Sequence, residues 1–413
     1  MSRITALIIF VVLSICMSSC HRAKPIAKPR TEPTLCVNQL DEMPTQWHPS
    51  TQLAHTLNNT AWTSAEQAES NAAVYAGLDE MIAYQETHPE SVFELWDNSV
   101  EAYIDVAYAS DHEPTLRDPA LDTAIKHFEV LWRPYEEGEQ SLGQCAQVST
   151  ALTLLVYGHN LSQRRPTNYE LRTHTKNLIK QTNQSLAECA TLDKVMTYNY
   201  KTVLSKPNAP NAEVYDLVMW SIIFIDVLRI ETVALPDGVR SFVTELWQYL
   251  STYPAPPATS FAKGANDPFF YDLAYLMTHV GYIPTGYGRH QLKRSHGEWL
   301  YQFIRSNFYA VMEMGELDLT AEFVDLMRQY GCNEDNDRQV RDGARHLMKL
   351  YQAAGGSWMS HRESYESKAS NPYDLMHKPW TAIAGLRHRR FETNHAKSYG
   401  HMANTLLKPP AKN

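Results

Sequence analysis

Residues 269–282, FFYDLAYLMTHVGY, place a polar and aromatic stripe on an otherwise apolar helix. At 3.6 residues per turn, Leu273, Leu276, Met277 and Val280 share one face. Asp272, Tyr275 and His279 fall on another, with Tyr282 next if the helix continues past Gly281. Tyr275 and His279 stand one turn apart and can touch, whereas Asp272 lies about 10 Å from His279 along the axis and cannot pair with it within the helix. A histidine beside a tyrosine can serve as base and acid in proton transfer when its pKa is near working pH. His279 and Tyr275 are therefore the expected catalytic pair, with Asp272 and Tyr282 on the substrate. The competing use of the same stripe is a buried polar network around a hydrogen-bonded core histidine.

Other residues offer separate chemistry. His377 opens a helix that runs through Trp380, whose indole face suits a sugar ring. Asp318, Glu322 and Asp325 repeat at helical spacing, as carboxylates for glycoside hydrolysis would. Asp318 equally suits a helix N-terminus, and the other two suit solvent or Arg328; this structural use is the expected one. Cys145 precedes an apolar helix with no histidine or basic residue close in sequence, which favours a packed thiol over a nucleophile. The 17 histidines include no HExxH and no close carboxylate pairing, so neither a metal nor a cofactor is expected.

Such side chains need rigid helices behind them, and helical periodicity dominates from about residue 50 onward. Apolar residues recur at intervals of three and four in Leu121, Ala124, Ile125, Phe128 and Leu131, and again in Leu300, Phe303, Ile304, Phe308 and Val311. Breaks carry Gly or Pro, as at Gly331, Gly355 and Gly356, and alternating strand patterns are nearly absent. The expected fold class is all-α. Segment 214–228, VYDLVMWSIIFIDVL, is apolar on almost every side and reads as an inner helix, its central run too short to cross a membrane. The helices after Gly297, Leu317 and Asp337 carry polar faces and are expected in an outer layer.

The C-terminal third, with LTAEFVDL at 319–326, Gly331, HLMKLYQ at 346–352, GSW at 356–358 and HKPWTAI at 377–383, resembles a repeat unit of the α/α-toroid superfamily. That superfamily includes terpenoid cyclases, protein prenyltransferases and several carbohydrate enzymes. Its helical hairpins alternate between an inner and an outer ring and are joined by a Gln…Gly-x-Trp turn, which Gln352, Gly356 and Trp358 fit. The resemblance implies an α/α toroid of inner and outer helices over residues 49–405. It also implies a central cavity lined by the starts of inner helices, where His377 and Trp380 would hold substrate beside His279. The acidic DxDD sequence with which cyclases protonate an olefin is absent.

The first twenty residues, MSRITALIIFVVLSICMSSC, have the charged start, short apolar core and small-residue end of a secretory signal. Met17-Ser18-Ser19-Cys20 resembles the bacterial lipobox, in which the cysteine is lipidated and becomes the first mature residue. His21 in place of aspartate after it resembles the sorting signal for the outer membrane. Residues 1–19 are thus expected as signal peptide, 20–48 as lipidated cysteine and extended tether, and 406–413 as a disordered tail. Cys36, Cys145, Cys189 and Cys332 allow one or two disulfides in an oxidising compartment, in pairings left open.

The chain has 413 residues, 44% hydrophobic, with 37 basic against 46 acidic side chains, which suits a globular body and gives no general attraction to nucleic acid. The expected protein is an outer-membrane lipoprotein, anchored through Cys20, whose body is an enzyme acting on a polysaccharide or glycan by elimination or hydrolysis. The alternative is a lipoprotein that binds a glycan or protein partner without catalysis.

Overall fold

A computed structural model describes residues 60–292, 294, 297–362, 371–387 and 406–407. The expected signal, Cys20, the expected tether and residues 408–413 of the expected tail lie outside them. The described elements are all helical, with no strand among the described residues. Ten of the twelve long helices among the described residues are α1 (Ser64–Thr87), α3 (Asn98–Ala109), α4 (Pro114–Glu136), α5 (Val148–Arg164), α6 (Tyr169–Cys189), α9 (Asn211–Val227), α10 (Val239–Leu250), α11 (Pro268–Thr285), α12 (Glu298–Met314) and α13 (Leu317–Gln329). To these are added α14 (Arg338–Ala353) and α15 (Pro372–Leu386), and the short α2 (Ser91–Leu95), α7 (Leu192–Met196) and α8 (Tyr200–Leu204).

Local sequence sets their ends. Thr63 and Glu66 form a capping box, Thr63 Oγ1 accepting from Glu66 N–H (3.2 Å) and Glu66 Oε2 accepting from Thr63 N–H (2.8 Å), which satisfies two backbone donors that α1 leaves open. Asp337 caps α14 by accepting from Val340 N–H at 3.0 Å.

Six helices meet in succession: α3 packs on α5, α5 on α9, α9 on α11, α11 on α13 and α13 on α15, and α15 returns to α3. A second set covers them, with α4 on α3, α6 on α5, α10 on α9, α14 on α13 and α1 on α15. Helix α9, the apolar 214–228 segment, contacts α5, α10 and α11, as a helix without a polar face must. Trp358 is fully buried against α1, its Nε1 donating to Ala73 O at 2.9 Å and its ring 4.5 Å from Tyr351. Gln352 is exposed, and it is its backbone carbonyl that closes the turn, accepting from Gly355 N–H at 3.1 Å.

Helix α13 departs from the outer-layer expectation, since every one of its residues is buried. Its polar face is turned inward onto other side chains and a cavity, and periodicity alone cannot tell that from a solvated face. Cys145 and Cys189 form a disulfide, with Cα atoms 4.8 Å apart, that fastens the start of α5 to the end of α6. Cys145 is therefore neither a nucleophile nor a free packed thiol, and Cys332 is disulfide-bonded as well. No helix among the described residues is long and apolar enough to cross a membrane.

Candidate active site

Five helices converge on a cavity of about 270 Å³. Asp97, the cap of α3, lines it together with Glu101 and Asp105 on that helix; Tyr215 and Met219 come from α9, and His279 and Tyr282 from α11. Glu322 and Asp325 come from α13, and Tyr373, His377, Trp380 and Thr381 from α15. Tyr287 enters from the loop after α11 in a left-handed conformation, φ 56°, between Gly286 and Gly288, which share that region. A side chain there costs of order 1–2 kcal/mol, and what it secures is the tyrosine ring stacked on Tyr282 at 4.9 Å. The same loop is tied down by Arg289, whose guanidinium forms a bidentate pair with Asp226 (2.5 and 2.6 Å) and donates to Asn160 Oδ1 (3.0 Å).

His279 is buried, and its Nδ1 lies 3.0 Å from the Tyr275 carbonyl oxygen. A carbonyl only accepts, so Nδ1 carries the proton and Nε2 is the bare nitrogen of a neutral ring. Burial, helped by His377, lowers the His279 pKa to about 4. Glu322 accepts from Thr278 Oγ1 and lies 4.0 Å from His279 Nδ1. Next to it, His377 Nδ1 is 3.0 Å from Asp318 Oδ1. Burial alone would raise the Asp318 pKa, but the His377 ring and hydrogen bonds from His377, Thr381 and Tyr275 hold it below the ordinary range. Asp318, Glu322 and His377 bring one donor atom each within 4.8 Å of one another, a two-oxygen, one-nitrogen set of the kind that can hold a divalent cation. Hydrogen bonds already engage these groups, and we read the cluster as a polar network.

A close helix approach makes that network. A Cβ added to Gly385 on α15 would stand 3.0 Å from Ala321 Cα and 3.1 Å from Ala321 O of α13, main-chain atoms that cannot rotate away. Alanine normally gains about 1 kcal/mol over glycine within a helix, whereas overpacking costs about 1–3 kcal/mol. Gly385→Ala is therefore expected to destabilise the fold by about 1–2 kcal/mol in denaturant unfolding, separating His377 from Asp318. Wild-type stability of that variant would show that the two helices are not held at contact.

The electrostatics of the cavity are one-sided. Burial, reinforced by the charges of Asp97, Asp105 and Asp226, pushes the Glu101 carboxyl well above the ordinary carboxylate range, with Arg289 opposing in part. Burial first, and Asp318 second, raise Glu322 in the same direction. Burial also raises Asp97. Asp105 is differently placed, its Oδ2 accepting from Arg387 at 2.6 Å and from Trp380 Nε1 at 3.1 Å.

Of the residues expected from sequence, His279, Tyr282, His377 and Trp380 meet at this cavity. Tyr275 stands behind the wall: its ring is 4.9 Å from His279, but its hydroxyl bonds Asp318 and Tyr373. It thus orients His279 through its carbonyl. Asp272 is exposed and is not among the lining residues. The carboxylates of α3 were missed, although Asp97, Glu101 and Asp105 recur every fourth residue in a segment that is otherwise largely apolar, the same signal that singled out His279. The ridge of Asp318, Glu322 and Asp325 is buried at the site, and Arg328 pairs with Glu334 in place of either carboxylate.

Compared with family models, with curated proteins and with solved structures, the chain matches none. Its class is therefore defined by its own features: an all-α protein with a cavity walled by carboxyl groups and aromatic rings.

Proposed function

We propose that this protein is a glycan-processing enzyme that cleaves glycosidic bonds by hydrolysis in the cavity between α3, α9, α11, α13 and α15. The observation that carries the reading is the convergence on one cavity of a carboxyl group whose surroundings favour its protonated form, Glu101, and of aromatic rings suited to stacking on sugars, on Tyr215, Tyr282, Tyr287, Tyr373 and Trp380. Elimination acts on uronates, whose carboxylate needs a cationic partner, and no lysine or arginine is among the residues lining the cavity.

In this mechanism Glu101 gives its proton to the glycosidic oxygen as the bond to the anomeric carbon breaks. Water adds to that carbon and passes a proton to His279 Nε2, and solvent then returns the proton from His279 to Glu101. With a pKa near 4, the imidazole has the basicity of an ordinary carboxylate, the usual base of such reactions. His377, Tyr282 and Trp380 hold the sugar. Incubation with oligosaccharides of differing linkage is expected to release new reducing ends without the ultraviolet absorbance of an unsaturated uronate. That absorbance would mean elimination, and tight binding with no product would mean a binding protein.

The architecture proposed to support this is an α/α toroid with α3, α5, α9, α11, α13 and α15 as its inner ring. It is favoured by the closed succession of contacts among them and by the outer helices paired to them. The body is proposed to hang from the outer membrane by a lipid on Cys20, a reading supported by the lipobox-like sequence and the Pro-rich stretch after it. Labelling of cells with palmitate is expected to mark the wild-type chain and not Cys20→Ser; equal labelling of both would remove the anchor.

A further inference from the structure

We propose that the enzyme works from the end of a glycan chain, releasing one terminal sugar at each turnover, and does not cut internal bonds. The inference takes its chemistry from the hydrolytic reading above, and its choice of bond from the direction and depth of the cavity.

The helices that wall the cavity run the same way. Thr278 of α11 donates to Glu322 of α13, and Thr285, about two turns on, donates to Gln329, also about two turns on. His377 of α15 meets Asp318 of α13 at 3.0 Å, and later on both helices Gly385 O accepts from Arg328 Nε at 2.8 Å. The C-terminal parts of α3, α5 and α9 gather on Arg289, which follows the end of α11. It donates to Asn160 of α5 and Asp226 of α9 and stands 5.4 Å from the Tyr108 ring of α3. A guanidinium suits a place where the carbonyl ends of helices converge, and Arg289 is only 5% exposed. A buried ion pair therefore stops this end, with Tyr287 of the same loop lining the space in front of it.

The mouth is at the other end. Tyr373, in the first turn of α15, is 41% exposed, whereas Ala384, about 16 Å further along the same helix, is 6% exposed.

The reacting groups lie close to the stopped end. Asp105 is one turn beyond Glu101 on α3 and already accepts from Arg387, which follows the end of α15, at 2.6 Å. Tyr282 is about one turn beyond His279 on α11 and stacks on Tyr287 at 4.9 Å. Past the acid and the base there remains about one helical turn, about 5.4 Å, which takes a single sugar ring. The rest of the glycan leaves toward the mouth past His377 and Tyr373. The whole cavity, about 270 Å³, is smaller than the roughly 300–1,000 Å³ of pockets that bury drug-sized ligands. An internal stretch of polysaccharide would have to enter and leave by one mouth, folding back on itself in that volume, whereas a chain end enters it straight.

The test gives the full-length protein hexasaccharides of cellulose, xylan, mannan, chitin and starch type, each free, blocked at either end by a bulky group, or blocked at both. Chromatography over time is expected to show monosaccharide and pentasaccharide first, with the shorter oligomers following in order. Cleavage is expected to be lost when the entering end is blocked and retained when the other is. Products of intermediate length at the earliest times, or cleavage of a doubly blocked chain, overturn the end-acting inference and leave hydrolysis standing. No cleavage of any free hexasaccharide overturns the proposed function, and the end-acting inference with it.

Tyr287→Gly probes the floor. Glycine takes the φ of 56° without strain, so the loop keeps its course while the cavity deepens by one ring. The variant is expected to add disaccharide to the products. Monosaccharide alone from it would overturn the placement of the floor at Tyr287, and the wild-type product series decides the inference should the variant be inactive.

Discussion

Glu101→Gln is expected to lower glycan turnover about 10²- to 10⁴-fold, the usual contribution of a general acid, while leaving substrate affinity within a few-fold. Glutamine copies the shape of the neutral carboxyl but has no proton to give. The same substitution has a second signature, in stability. Because burial and neighbouring charges raise Glu101 above its ordinary value of 4.5, the folded state holds a proton that the unfolded chain has released. Within that window the unfolded state binds fewer protons, so the stability of the wild type falls as pH rises from about 4.5 to the raised folded value. The variant has no such term. Its melting temperature should therefore gain on the wild type with rising pH through that window and level off above it. A constant difference across pH would show that Glu101 ionises normally and is not the acid.

Asp337→Ala is expected to destabilise the protein by about 3–5 kcal/mol, to which loss of the α14 cap adds about 1 kcal/mol. Asp337 is fully buried and pairs with Arg305 through both oxygens, Oδ1 lying 3.0 Å from Nη1. Without it, the Arg305 guanidinium keeps only the neutral oxygens of Tyr301 (3.0 Å) and Gln339 (2.8 Å). Single domains have in all about 5–15 kcal/mol, so the loss is a large fraction of what holds α12 and α14 behind the α13 carboxylates. Replacing both partners, as Arg305→Leu with Asp337→Ala, should recover much of it, because a buried charge without its counter-ion costs more than an apolar pair. Denaturant midpoints of the two single variants and the double variant measure this directly. A double variant no better than Asp337→Ala would mean that the cap, and not the ion pair, carries the effect.

Sequence reading reached the helices and four residues that line the cavity because both leave a periodic trace. His279 and Tyr282 stood out as polar positions on an apolar helix, and His377 and Trp380 followed from the likeness to toroid repeats. What the trace lacks is direction. In α13 the alternation of Asp318, Glu322 and Asp325 with Leu319, Phe323 and Leu326 is the same whether the acids meet solvent or line an interior space, and solvent was the wrong choice. Tyr275 was placed on the right face, yet its hydroxyl is taken by Asp318, a residue more than forty positions away that no local pattern connects to it. The disulfide between Cys145 and Cys189 was illegible for the same reason, because pairing depends on how α5 and α6 come together.

Helix α1 packs on α15, and Trp358 and Arg345 reach back to Ala73 and Glu66 at separations of 285 and 279 residues. During synthesis the first helix among the described residues therefore waits, its apolar face uncovered, until α15 has left the ribosome. Five residues of the pocket, Tyr373, His377, Trp380, Thr381 and Ala384, arrive with that final clasp. A nascent chain that has not yet presented α15 consequently lacks the complete pocket.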